Sequence, residues 1–254
     1  MICAPTRLPQ LGQESAILVI DETSFPKRGQ QSAGVGMQYC GTTGQVQNCQ
    51  VGVFLSYVTA KGHTLIDREL YLPFDWCEDQ QRCQAAHVPE TVRFQTKPEL
   101  AIQMLERIFH AHLPIGWVVA DTVYGGNLDL RTWCEQQQYP FVMAVACNEP
   151  VGIVTPDGVR RRVEAGEVEA LVLHDQDWQR LSMSEGTKGP RLFDWAAVPM
   201  LHRRARGWTP LVAHSSESDG SRRESVLLRL CPQRNEPGRD GGGHWRTLAY
   251  RGGF

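Results

Sequence analysis

Two stretches decide the fold of this chain: AILVIDETSFPKRG at residues 16–29 and IGWVVADTVYGG at residues 115–126. Each carries an unbroken apolar run, Ile17–Ile20 in the first and Gly116–Ala120 in the second. Runs without polar alternation are typical of strands buried on both faces of a covered sheet. An aspartate follows each run directly, Asp21 and Asp121. Side chains just past such strands project from the sheet edge, so these carboxylates are candidates for holding divalent cations, which prefer oxygen ligands.

Composition limits the class of protein. The chain has 254 residues, 41% of them hydrophobic, which is enough for one large domain or two small ones. A net charge of −2 and a pI near 6.4 argue against tight, unaided nucleic-acid binding, although they leave a local basic patch open. No apolar run approaches the ~18–20 residues of a membrane span, and the first residues lack a signal-peptide core. The sequence therefore predicts a cytoplasmic protein with no membrane partner.

The eight cysteines do not predict a metal site. None forms a CxxC pair, and Cys77 and Cys83 have no histidine nearby. We therefore expect reduced thiols and no bound zinc.

The order of predicted elements indicates an α/β fold. After the first strand, Gly34–Tyr39 and Cys49–Thr59 are predicted to form an antiparallel hairpin that continues from it. Pro98 opens a helix with apolar residues on one face, and Gly116–Ala120 is the next strand. A helix over Leu128–Gln138 and a strand over Pro140–Val145 complete the order β-β-β-α-β-α-β. This is the order of a ribonuclease H-like mixed sheet, whose acidic residues lie on the first and fourth strands.

Longer stretches make a specific resemblance. The chain resembles the DDE transposases of bacterial insertion sequences, in the IS-four superfamily and closest to its seven-oh-one branch. The matching stretches cover most of residues 15–200: LVIDETSFPKRG, GVGMQYCGTTGQVQNCQVGVFLSY, HTLIDRELYLP, FQTKPELAIQMLERI, VVADTVYGGNLDLRTWCEQQQYPFVMAV and KGPRLFDWA.

The resemblance implies a chemistry and a set of ligands. In such transposases three acidic residues hold two Mg²⁺ (or Mn²⁺) ions, which activate a water or a DNA 3′-hydroxyl and steady the leaving oxygen. By match, Asp21 and Asp121 are the first two catalytic, metal-binding residues. The implied partner is DNA, at the transposon ends.

Four cations are candidates for DNA contact. Lys27 and Arg28 follow the first aspartate and could touch a phosphate, although a solvated turn explains them equally well. Lys188 and Arg191 belong to a matching stretch and could contact DNA in the parent family, with a tight surface turn as the alternative.

Three further features near the aspartates have structural explanations. Glu22 is expected to be a solvated neighbour of Asp21, and Asp67–Glu69 a charged strand edge. Tyr124-Gly125-Gly126 is expected to bend the chain away from the site, with glycine for backbone freedom.

The chain also departs from the family pattern. The predicted boundaries are a short lead at 1–14, a ribonuclease H-like catalytic core at 15–150, a partial insertion region at 151–208 and a frameshifted, disordered tail at 209–254. We expect no helical DNA-binding domain upstream of the first strand and no final helix carrying the third acidic residue. In the family pattern that helix carries Trp-Arg-Ile-Glu-Glu or a close variant. If the codons of Leu248–Phe254 are suitable, moving the reading frame forward by one base spells this motif.

These departures leave three functional hypotheses. The first is a transposase by descent, truncated at both ends, with an apolar sheet face left exposed, weak metal binding and no strand cleavage. The second is a regulatory fragment that associates with full-length transposase and inhibits it. The third is a residual ribonuclease H-like nuclease that uses Glu149 or Glu185 as a substitute acid, although neither lies on a predicted helix.

Overall fold

The structure is a computed structural model, which describes residues 16–186, 189–201, 208–217 and 225–232. The chain divides into two compact units, Met1–Trp133 and Cys134–Phe254. No helix among the described residues is long and apolar enough to cross a lipid bilayer.

The first unit is built on a mixed sheet. Its strands are β1 (Ile17–Pro26), β2 (Gly36–Cys40), β3 (Gln45–Thr59), β4 (Gly62–Tyr71) and β5 (Trp117–Ala120). Its helices are α1 (Phe74–Glu78), α2 (Gln80–Ala85), α3 (Lys97–His110), α4 (Thr122–Gly125) and α5 (Leu128–Gln136), the last of which continues into the second unit. The strand order is β2-β3-β1-β5, with β4 also paired to β3. Only β1 and β5 run parallel among these pairs. The predicted mixed α/β sheet is therefore confirmed.

The structure has one more strand before the long helix than the sequence predicts. The stretch HTLIDRELYLP, expected to be the edge of a strand, lies largely in β4. It fits because β3 is 15 residues long and pairs along one edge with β2 over Gln45–Cys49 and with β4 over Val51–Thr59. As a result Asp121 follows the fifth strand in chain order, yet that strand still lies next to β1.

Helix α3 begins and packs as its sequence predicts. Thr96 and Glu99 form a capping box, in which the Glu99 N–H donates to Thr96 Oγ1 and the Thr96 N–H donates to Glu99 Oε2. The proline at 98 occupies the first turn, where its missing N–H costs nothing. The predicted apolar face is buried: Leu100, Met104, Leu105 and Ile108.

The two faces of the first sheet differ. On β3 the odd-numbered residues from Cys49 to Thr59 are all buried, and the face they share carries Asp67 and Glu69 of β4, both paired with Arg107 of α3. The helix therefore covers this face. We call the other face the open face, since it carries Phe25, Met37, Tyr39 and Val46, whose exposed fractions are 44%, 71%, 62% and 63%. Only Phe25 among these four residues lies on a strand of the two aspartates, so the expectation of an apolar surface left exposed on those strands stays a prediction.

The second unit is mostly β-structure. Its strands are β6 (Phe141–Val145), β7 (Pro150–Val154), β8 (Arg160–Glu164), β9 (Gln179–Gly186), β10 (Gly189–Pro199), β11 (Trp208–Glu217) and β12 (Ser225–Pro232). It also has helix α6 (Val168–Val172) and 3-10 turns at Ala165–Glu167 and Asp175–Asp177. The strands β6-β12-β11-β10-β9 form one antiparallel series, and β7 pairs with β8.

The expectation of disorder from residue 209 onward is wrong for part of that tail. The described residues Trp208–Glu217 and Ser225–Pro232 form paired strands. Val226, Leu228 and Leu230 alternate along β12 and are buried, because that strand inserts between β6 and β11. The rest of the tail and the lead at 1–14 lie outside the described residues, as does the segment in which the final helix would fall. The proposed domain boundaries and the frameshift remain predictions.

Candidate active site on β1 and β5

The parallel pairing of β1 and β5 brings the two aspartates to one edge of the sheet. The register pairs Ile17 with Trp117 and continues without a break to Ile20 with Ala120. Asp121 directly follows the end of β5, whereas Asp21 lies within β1, which continues to Pro26 along β3. The expectation that the first strand ends at Asp21 is therefore wrong, although the pairing with β5 does end one residue before it. Parallel strands carry their following side chains to the same edge, so two residues 100 positions apart in sequence face the same region of space.

Each aspartate is held by a backbone donor. The Glu22 N–H donates to Asp21 Oδ1 at 2.8 Å. The Val123 N–H donates to Asp121 Oδ1 at 3.0 Å, so that Asp121 acts as the N-cap of the short helix α4. These bonds fix both carboxylates relative to the sheet edge before any ligand arrives.

The carboxylates are in an unfavourable electrostatic environment. Burial raises the pKa of Asp21, and the charge of Glu22 adds to the rise, while the Glu22 N–H and Lys97 oppose it. Burial also raises the pKa of Asp121, helped by the charges of Glu22 and Asp21 and opposed by backbone donors. Three negative groups thus share one region, which favours binding of a cation.

Glu22 is not the solvated neighbour that the sequence suggested. Its Oε1 lies 2.6 Å from Lys97 Nζ, and only 17% of its side chain is exposed. The expectation failed because Lys97 is 75 residues away in sequence. One signal was available: a lysine in the first turn of a helix opposes the helix dipole, which suggests that an acidic partner lies nearby.

Tyr124 lies beneath the same site. It is fully buried in α4, and its hydroxyl makes no hydrogen bond of normal geometry among the described residues. Burial, with the nearby charge of Glu22, raises the pKa of this hydroxyl far above its usual range. The tyrosine therefore stays neutral at every physiological pH.

The glycines after Tyr124 do not use the backbone freedom expected of them. Gly125 ends α4, and Gly126 has φ −71°, which any residue can adopt. The chain turns at this point because Asp121 caps a short helix, and the glycine expectation is corrected accordingly.

The two candidate DNA-contacting cations that follow Asp21 along the chain do not lie beside the aspartates. Lys27 and Arg28 are exposed at the far end of β1, roughly 20 Å from Asp21 at the usual rise per strand residue. Their turn is held by Asn48, whose Nδ2 donates to the Lys27 carbonyl at 2.8 Å. Arg191 lies on β10 in the second unit, opposite Ser184, and Lys188 lies outside the described residues.

The two substitute acids are not on helices either. Glu149 lies between β6 and β7, and Glu185 lies within β9. Across the described ranges, no group of three His, Cys, Asp or Glu side chains is arranged to hold a metal ion.

Comparison with known proteins decides the family. The model of the DDE superfamily endonucleases matches residues 4–190, which is most of the chain. The chain belongs to this family. Both Asp21 and Asp121 fall within the match, so the DDE endonuclease family covers the whole candidate site.

One relative with a curated description is similar to part of this chain. The chain is 27% identical over 139 residues to a "Probable transposase for insertion sequence element IS701" from Microchaete diplosiphon. The aligned part is 54% of this chain and 34% of the relative. The chain therefore matches about a third of the relative's length. Among solved structures, the NurA nuclease from Sulfolobus solfataricus is similar at 8% identity with a TM-score of 0.37, over 98% of this chain and 77% of that one.

Proposed function

We propose that Asp21 and Asp121 are two ligands of a divalent-metal site for DNA strand cleavage and transfer, as in an insertion-sequence transposase. The observation that carries the proposal is the parallel register, in which both carboxylates come one residue after Ile20 and Ala120, the last residues at which β1 and β5 pair. The match to the DDE superfamily endonucleases and the likeness to a transposase support the reaction class.

The residues at the sheet edge fit a hard divalent cation. Both side chains offer carboxylate oxygens, which Mg²⁺ and Mn²⁺ prefer. Burial is the main cause of the raised pKa values of Asp21 and Asp121; repulsion by the charge of Glu22 adds to both, and repulsion by Asp21 adds at Asp121. A cation between them would relieve that repulsion, as expected of a site built to bind one.

The chain's own residues supply position and charge. A bound divalent ion would polarise a phosphodiester oxygen and lower the pKa of a bound water or hydroxyl. Asp21 and Asp121 orient toward it because Glu22 N–H and Val123 N–H hold one oxygen of each. The DNA substrate would approach from the sheet edge. Lys27 and Arg28, which follow the end of β1, would contact its phosphates farther from the metal site.

We expect strand cleavage by this chain alone to be negligible. Two carboxylates leave most of an octahedral coordination sphere to water, which weakens binding and positions the ion loosely. Neither Glu149 nor Glu185 is presented from a helix.

Mn²⁺ titration followed by electron paramagnetic resonance tests this proposal. Wild-type protein should bind Mn²⁺, and Asp21→Asn and Asp121→Asn should each weaken that binding at least tenfold. Asp129→Asn is the matched control, because Asp129 is an exposed aspartate in the first turn of α5. Binding that is indifferent to both site variants would refute the proposal. A supercoiled-plasmid assay with Mg²⁺ and Mn²⁺ tests the expected lack of cleavage.

A second candidate function is association with a full-length transposase. It is favoured by the open face, where Phe25, Met37, Tyr39 and Val46 are exposed apolar residues on the same side of the sheet. If this role is correct, a tagged copy of the chain should co-purify with an intact relative, and Tyr39→Lys should abolish the association. Leu128→Lys, at another exposed apolar residue outside the open face, should leave it intact. No co-purification with the wild-type chain would exclude this role.

A further inference from the structure

An ion pair lies behind the two aspartates on the helix-covered face of the sheet. Successive residues of a strand point to opposite faces, so Glu22 lies on the face opposite to Asp21. Its partner Lys97 comes from the start of α3, and the two side chains are 17% and 24% exposed. Glu22 is therefore not placed beside Asp21 as a further ligand.

One of the two Glu22 carboxylate oxygens takes no part in this ion pair. Oε1 accepts from Lys97 at 2.6 Å, whereas Oε2 is buried and has no hydrogen-bond partner among the described residues. The buried Tyr124 hydroxyl also lacks a partner of normal geometry among the described residues, but it lies close enough to Glu22 for the two side chains to interact. The Glu22 carboxylate also acts electrostatically on Asp121, the residue that caps the helix of Tyr124.

The fold does not need this ion pair to place α3. The helix is already fixed at its start by the capping box of Thr96 and Glu99 and along its length by its buried apolar face. Farther along, Arg107 ties it to β4 through Asp67 and Glu69. A buried charge that is not required for packing points to a role at the neighbouring site.

We propose that Glu22 and Lys97 are positioning residues that set the divalent-cation affinity of the Asp21–Asp121 pair, acting from the helix-covered face of the sheet. This inference rests on the proposed metal site. The Glu22 charge attracts the cation without coordinating it, and the Lys97 charge offsets that attraction. Groups outside the ligand set commonly tune metal affinity in this way.

The two halves of the pair should have opposite effects on affinity. Glu22→Gln removes a negative charge and should weaken Mn²⁺ binding, while Lys97→Met removes a positive charge and should tighten it. At the separations of neighbouring side chains near a protein surface, each change should be roughly three- to tenfold at low ionic strength. The double variant restores neutrality and should bind within about twofold of wild type, and Lys97→Arg should match wild type.

A purely structural ion pair gives a different result. Breaking it from either side would disturb the same contact, so both single variants would weaken Mn²⁺ binding together. The control is Arg180→Met, which breaks the bidentate pair with Asp194 in the second unit and should leave affinity unchanged. Circular dichroism and thermal unfolding identify any variant that fails to fold, and the double variant and Lys97→Arg then carry the test.

The outcomes separate this inference from the function on which it rests. Mn²⁺ binding by electron paramagnetic resonance should be lost with Asp21→Asn and should move in opposite directions for Glu22→Gln and Lys97→Met. Binding that depends on Asp21 but shifts the same way, or not at all, for both halves of the pair overturns this inference alone. Wild-type protein that binds no Mn²⁺ overturns both.

Discussion

Asp21 and Asp121 occupy equivalent positions on two parallel strands, each one residue past the paired residues Ile20 and Ala120. Burial disfavours the ionised form of both side chains, and the charge of Glu22 disfavours it further. The protein therefore holds a local arrangement that is unfavourable until a cation binds. Sites of this kind are expected to trade stability for function.

Removing one of these charges should stabilise the metal-free protein. We expect Asp121→Asn to raise the free energy of unfolding by roughly 0.5–1 kcal/mol, after allowing for solvent screening. Asparagine keeps an oxygen to accept from the Val123 N–H, so the cap of α4 is retained. Urea denaturation with a chelator present measures the effect. Asp129→Asn should instead destabilise slightly, because Asp129 favours the N-terminus of α5. A destabilised Asp121→Asn would contradict the prediction.

The stabilisation should depend on pH in a defined direction. The folded-state pKa of Asp121 is raised, so the ionised group destabilises the folded protein most at neutral pH. This penalty falls as the pH drops through the raised pKa and vanishes below the ordinary carboxyl pKa, where both states are protonated. The gap in unfolding free energy between Asp121→Asn and wild type should therefore shrink on acidification from pH 7. A gap that widens would be inconsistent with a raised pKa.

The start of α3 offers a test of the fold itself. Thr96→Ala removes the side-chain oxygen of the capping box and should lower the free energy of unfolding by about 1 kcal/mol. Thr91→Ala, at an exposed residue of the preceding loop, makes the same chemical change and should have little effect. Thermal and urea unfolding of the two variants give the comparison. Equal effects would mean that the cap does not stabilise the helix.

The salt bridges of Arg107 should contribute more to the free energy of unfolding than surface salt bridges do. Asp67 has a fully buried side chain whose Oδ2 accepts from Arg107 Nε at 2.7 Å. Arg107→Met would leave that carboxylate without its cation, and we expect a loss of about 2–3 kcal/mol, near the lower limit for a buried pair because the arginine is partly exposed. Adding Asp67→Asn should restore part of the loss. If the double variant is less stable than Arg107→Met, the uncompensated charge is not the cause.

The sequence predicted the parts of the fold whose signals are local. β1, β5 and α3 follow from uninterrupted apolar runs or one apolar helical face, and the two aspartates follow from their position directly after those apolar runs. The continuation of β1 past Asp21 to Pro26 was not predicted, because the residues after Asp21 are mostly polar. β4 was underestimated because Asp67 and Glu69 look solvated until Arg107, about 40 residues later, neutralises them. The Glu22–Lys97 pair was missed for the same reason. Composition also concealed β12, whose short alternation of Val226, Leu228 and Leu230 lies in a tail rich in glycine and arginine.

The central claim is that Asp21 and Asp121 hold one divalent site together, and iron-directed backbone cleavage tests it most directly. With Fe²⁺ in place of Mg²⁺, ascorbate and peroxide generate hydroxyl radicals that cut the chain beside the bound ion, and mass spectrometry locates the cuts. We predict cuts close to residue 21 and close to residue 121 in the same sample, both suppressed by excess Mg²⁺ and both lost in Asp21→Asn. Cuts near only one of the two residues, or near neither, would contradict the account.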